Sequence, residues 1–140
     1  LNISSQLGGK GTRAFSIFIE QLPIPQISKE EQTVFELMVD FILFAKENGF
    51  ETESKLFESI TDGLVYDLYF PEEMKKDGCF ITDRIRQKIK PFKPDDTDDF
   101  KKEYITALYN FFLKDKIIYG SLIYRRQSEV IKITVGNKNE

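Results

Sequence analysis

Along most of this chain apolar side chains recur at the three- and four-residue spacing of helices. The clearest run is "KEEQTVFELMVDFILFAKENG", residues 29–49. Val34, Phe35, Leu37, Met38, Val39, Phe41, Ile42, Leu43 and Phe44 form an apolar face too wide for one-sided packing, which predicts a helix covered on more than one side. Ser28, three residues before Glu31, has capping-box spacing for its start, and Gly49 is suited to its stop. A second helix is expected over about residues 53–69, with Leu56, Phe57, Ile60, Leu64, Val65, Leu68 and Tyr69 on its inner face. Pro71 ends it or starts a short continuation through Met74, closed by Gly78. "TDRIRQKIK" reads as a third helix, halted before Pro91. "KPFKPDDTDD" reads as a linker from which Asp96 or Thr97 caps a fourth helix running to about Leu113. "KIIYGSLIYRR" is a fifth, weakened by Gly120.

The two ends differ. In "AFSIFI", Phe15, Ile17 and Ile19 alternate with Ser16, Phe18 and Glu20, which hints at a strand, and "SEVIKITVG" near the C-terminus has the same period of two. Pro23 and Pro25 exclude helix interior from "LPIPQI". The expected fold class is mainly α: a bundle of about five helices, a small extended or β remnant at the N-terminus and a short C-terminal strand. The expected division is 1–27, ending in the proline hinge, and 28–140, the helical domain.

Composition narrows the chemistry. With 140 residues, 41% of them hydrophobic and thirteen Phe, the chain can bury one core. There is no His, which removes the commonest general base and metal ligand, and the single Cys79 excludes an internal disulfide and fits a reducing, cytoplasmic setting. No run is apolar and long enough to span a bilayer, so no membrane partner is expected. The net charge of −3 conceals a segregation: residues 28–83 carry 14 acidic against 5 basic side chains, whereas "RIRQKIKPFK", residues 84–93, carries five basic and no acidic ones.

The proline hinge and "ITDGLVYDLYFPEEM" together resemble adenine-specific DNA methyltransferases of restriction–modification systems, especially the fused single-chain type II (type IIG, TaqI-like) enzymes. In those enzymes a target-recognition domain ends on a pattern like Pro23, Ile24, Pro25, Glu31 and Gln32, and a helix then follows. Asp62, Gly63, Leu64, Val65, Tyr66, Leu68, Tyr69 and Phe70 match a second helix of the family. The resemblance covers residues 7–80 and is looser beyond. It implies that a methyltransferase domain and most of a recognition domain lie upstream in the parent protein. The parent would use S-adenosylmethionine, with Mg if it also cleaves DNA, and would act on double-stranded DNA. The family's Asn-Pro-Pro-Tyr type loop and a Gly-rich cofactor fingerprint are absent from this sequence, so the piece itself is expected to be non-catalytic and cofactor-free. It would support sequence-specific recognition by anchoring the recognition domain, with the first apolar helix as the docking surface. The alternative is a helical protein–protein interaction or dimerisation module, acting as a homodimer or with another subunit.

Candidate DNA-contacting residues fall in two places. "GGKGTR" offers Lys10, Thr12 and Arg13 on a loop whose backbone amides can approach a phosphate, and a flexible turn is the plain alternative. Arg84, Arg86, Lys88, Lys90 and Lys93 form the strongest local charge feature. On one helix Arg84 would share a face with Lys88, and Arg86 with Lys90, while Ile85 and Ile89 point inward. Such a cluster grips phosphate without reading sequence, or it is a solvated face, or it pairs with the acidic surface of residues 28–83. Pro94-Asp95 followed by Asp99-Phe100-Lys101 superficially resembles a nuclease metal site, but acidic residues in a first helical turn are expected from the helix dipole alone. Glu53-Ser54-Lys55 is a weaker echo. Cys79, with no histidine to activate it, is expected to be a small buried hydrophobe. Tyr66, Tyr69 and Tyr104 are expected on core-facing helix sides.

Overall fold

The computed structural model describes residues 27–127, and within them the chain is mainly helical. The helices are α1 (Lys29–Glu47), α2 (Glu51–Tyr69), α3 (Pro71–Lys76), α4 (Thr82–Lys88), α5 (Asp98–Lys114) and α6 (Lys116–Gln127). The expected N-terminal remnant and the C-terminal strand lie outside the described residues, as do Lys10, Thr12 and Arg13.

The local start signals act as their chemistry requires. Ser28 Oγ accepts from the Glu31 amide and Glu31 Oε1 accepts from the Ser28 amide, closing the capping box of α1. Gly49 then turns the chain at φ +79°, a conformation that favours glycine, and α2 folds back along α1. Pro71 occupies the first turn of a separate short helix, where a missing amide hydrogen costs nothing, so the described residues hold one more helix than the periodicity suggests. Thr97, rather than Asp96, caps α5 by accepting from the Phe100 amide; Asp96 instead accepts from the Lys93 amide. The third predicted helix ends earlier than expected, at Lys88. Ile89 is already extended (φ −83°, ψ 150°), which leads into the restricted residue Lys90 before Pro91.

α1 is the central helix. It packs against α2, α4 and α5, and buries Val34, Phe35, Met38, Val39, Phe41, Ile42 and Ala45. α2 in turn packs against α3, α5 and α6, and α5 against α6. Most of the apolar face of α1 is therefore consumed inside the bundle. Leu43 alone among its large apolar residues is exposed, which leaves little of that face for docking an upstream domain. Ile27, at the end of the expected hinge, is part-buried against the same core.

The segment between α4 and α5 is pinned to the bundle. Phe92 sits edge-on to Phe41 and Phe44 of α1, with ring centroids 5.2 and 5.4 Å apart, and to Tyr104 of α5 at 5.8 Å. The Tyr104 hydroxyl accepts from the Lys90 amide at 2.9 Å. Edge-to-face rings at such spacing add to area burial, so the stretch that reads as a linker is anchored to two helices through Phe92 while most of its other residues stay exposed.

Candidate functional site

The basic residues of 84–93 do not share one face. Arg84 forms a two-pronged pair with Asp115 (Nη2–Oδ2 2.6 Å, Nε–Oδ1 3.1 Å). Asp115 Oδ1 also accepts from the Ile117 and Ile118 amides at the start of α6. Burial pushes Asp115 up, but the bonds from Arg84 and these amides win and hold it below its ordinary value. Arg84 thus ties α4 to the junction of α5 and α6. Arg86 pairs with Glu30 in the first turn of α1 at 3.1 Å and with Asp83 at 2.9 Å. Lys88 lies over the Phe111 ring, 4.7 Å from its centroid. Lys90 falls beyond the end of α4 and so does not continue the face of Arg86. Lys90 and Lys93 are exposed, and neither forms an ion pair among the described residues. Of five expected contacts, two arginines fasten the fold and three lysines face outward. Ile85 and Ile89 are buried as expected.

The residues with most chemical potential lie inside. Asp67, only 2% exposed, projects from the last turn of α2 and serves as the cap that α4 lacks. Its Oδ2 accepts from the Ile81 amide (2.9 Å), the Thr82 amide (2.9 Å) and the Thr82 hydroxyl (2.6 Å). Loss of water raises its pKa to about 6 against the pull of those donors and of Arg125.

Arg125 enters from α6 and is 7% exposed. Its Nη2 donates to the Ser59 carbonyl of α2 at 3.1 Å, and its guanidinium lies 5.8 Å from the centre of the Tyr66 ring. Gly63 makes room for it: a Cβ there would stand 2.8 Å from Nη2 and 2.9 Å from Cζ of Arg125, and 2.9 Å from the tip of Ile81. A glycine inside a helix costs about 1 kcal/mol relative to alanine. Here that cost lets two helices close on a buried cation. Asp62, one residue before the glycine, is lifted to about 8 by loss of water, with Arg125 pulling it down and Glu58 pushing it up. Glu58 itself meets Lys46 of α1 at 2.9 Å. The stretch Glu58-to-Asp67 is therefore a fastening seam: it joins α2 to α1 through Glu58, to α6 through Arg125 and to α4 through Asp67.

Cys79 is buried beside this seam. Burial, followed by the nearby carboxylates of Asp77 and Asp67, raises its thiol pKa, opposite to what a nucleophile needs. Tyr66 is core, whereas Tyr69 and Tyr104 are half-buried. Asp95 and Asp99 are exposed, and among the described residues no three His, Cys, Asp or Glu side chains are grouped to hold a metal ion. Among the described residues no helix is long and apolar enough to cross a membrane. No family model, no curated protein and no solved structure matches the chain.

Sequence reasoning missed Arg125. Its signal is present: Ile118, Ser121, Leu122 and Arg125 follow the i, i+3, i+4, i+7 spacing of one helix face, and all four are buried.

Proposed function

We propose that this chain is a non-catalytic helical support for a DNA-acting enzyme, of the restriction–modification kind that its sequence resembles. In that role it holds a neighbouring recognition domain and adds backbone contacts to double-stranded DNA. One observation carries the reading: Asp67 and Arg125 are committed to helix–helix joints and Cys79 is buried beside them, while Lys88, Lys90 and Lys93 are exposed. Exposed lysines at and just beyond the end of α4 suit phosphate, which gives affinity without sequence information. S-adenosylmethionine and any Mg would belong to the parent's other domains.

Fluorescence anisotropy of the 140-residue chain on a random duplex tests this. With three phosphate contacts, affinity should fall about 20-fold between roughly 50 and 150 mM salt. The triple variant Lys88→Gln, Lys90→Gln, Lys93→Gln should abolish binding while leaving the melting temperature within a few degrees. Failure to bind at low salt, or a triple variant that binds like the parent chain, would remove DNA contact from the proposal.

A further inference from the structure

α5 has two faces. Ile105, Leu108 and Phe112 are buried against the bundle. On the opposite side Asp99, Phe100, Glu103, Thr106, Ala107, Asn110, Leu113 and Lys114 are all exposed. Their spacing, 99/100, 103, 106/107, 110 and 113/114, sets them along one stripe of the helix, with Phe100 and Leu113 towards its two ends. Phe100 is 51% exposed and Leu113 37%. Thr106, Ala107 and Asn110 in the middle of the face are uncharged and small, and they floor a shallow depression bordered by Lys102 and Glu103.

The face is complementary to itself. Laid antiparallel on a second copy, with a two-fold axis between Thr106 and Ala107, it brings Asp99 opposite Lys114 and Phe100 opposite Leu113. Glu103 then meets Asn110, and Thr106 meets Ala107. Each pairing occurs twice, as an isologous interface demands. The ends match in charge, the apolar pair lies inside them, and the small central residues allow close approach. We propose that the outer face of α5 is a self-association surface through which two copies of this chain pair antiparallel. The occupant is a second copy because the charge order along the face, acidic at the start and basic at the end, is neutralised by its own reversal. The proposal is independent of any action on DNA.

A single helix pair buries less than the roughly 800 Å² per partner of a stable complex, so the dimer should be weak, half-assembled at about 10–100 µM. Sedimentation velocity of the 140-residue chain over that range should show a concentration-dependent rise in mass. Asp99→Lys or Lys114→Asp alone should weaken association about tenfold or more, because like charges then meet twice. The double exchange Asp99→Lys with Lys114→Asp should restore it, and Ala107→Arg should leave only monomer. All three positions are exposed, and circular dichroism melting checks that each variant folds. A chain that stays monomeric to about 1 mM would overturn the proposal. So would a dimer indifferent to Ala107→Arg, and one broken by Ala107→Arg yet blind to the charge exchanges would overturn the antiparallel register.

Discussion

Asp67→Ala should destabilise the fold by about 3–5 kcal/mol. Two backbone amides, Ile81 and Thr82, and the Thr82 hydroxyl all lose their acceptor at once in a buried place. Each orphaned buried donor costs about 1–3 kcal/mol, and the relief of no longer burying the carboxylate offsets part of the sum. For a domain of this size the melting temperature should drop by about 10–25 °C. Asp67→Asn keeps an acceptor oxygen in place and should cost only about 1–2 kcal/mol. The loss should appear first in α4, whose amides should exchange faster with solvent than those of α1. Denaturant unfolding that placed Asp67→Ala within about 1 kcal/mol of the parent would contradict the role assigned to this carboxylate.

Arg125→Met should be the other large loss, about 2–4 kcal/mol at pH 8. Methionine fills much of the space but leaves Asp62 and Asp67 without the cation that favours their charged forms, and it gives up the bond to the Ser59 carbonyl. Breaking one partner of a buried charge set is costly because the remaining charge is uncompensated. The cost should shrink towards pH 5, where Asp62 is protonated and needs no partner. Adding Asp62→Asn to Arg125→Met should recover about 1–2 kcal/mol at pH 8. If Asp62→Asn changes stability at pH 8 by the same amount in the parent chain and in the Arg125→Met variant, as independent sites do, the two groups are not coupled.

What was legible in the sequence was what local chemistry decides. Ser28 with Glu31, Gly49 and Thr97 mark helix ends through contacts no more than a few residues long, and those ends fall where they were expected. The breadth of the apolar face of α1 showed that it is covered on more than one side, and left open whether the bundle or an upstream part covers it; the bundle covers most of it. The seam was not legible because its partners come from distant parts of the chain. Asp67 caps a helix that begins fifteen residues later, and Arg125 reaches a carbonyl sixty-six residues earlier. Gly63 inside a helix was the visible trace of that meeting, since a mid-helix glycine asks for a close neighbour. The basic cluster was legible as charge, and pairing with the acidic surface of residues 28–83 was one of its readings. Arg86 does this with Glu30 and Asp83, whereas nothing near Arg84 in sequence points to Asp115.

The acids of α2 act as internal fastenings, and the pH dependence of unfolding reports on their burial. Asp62 and Asp67 titrate in the folded chain at about 8 and about 6, both above the ordinary 3.8. The folded state therefore holds protons that the unfolded chain has released. The stability this confers is complete below the unfolded value and is lost as pH rises through about 6 and then about 8. Urea unfolding from pH 5 to pH 8 should show stability falling by about 2–4 kcal/mol in the parent chain. The fall should be no more than about 1 kcal/mol in the double variant Asp62→Asn, Asp67→Asn. A parent stability that is flat, or that rises over that range, would mean the carboxylates are not buried in the joints, and the seam would have to be given up.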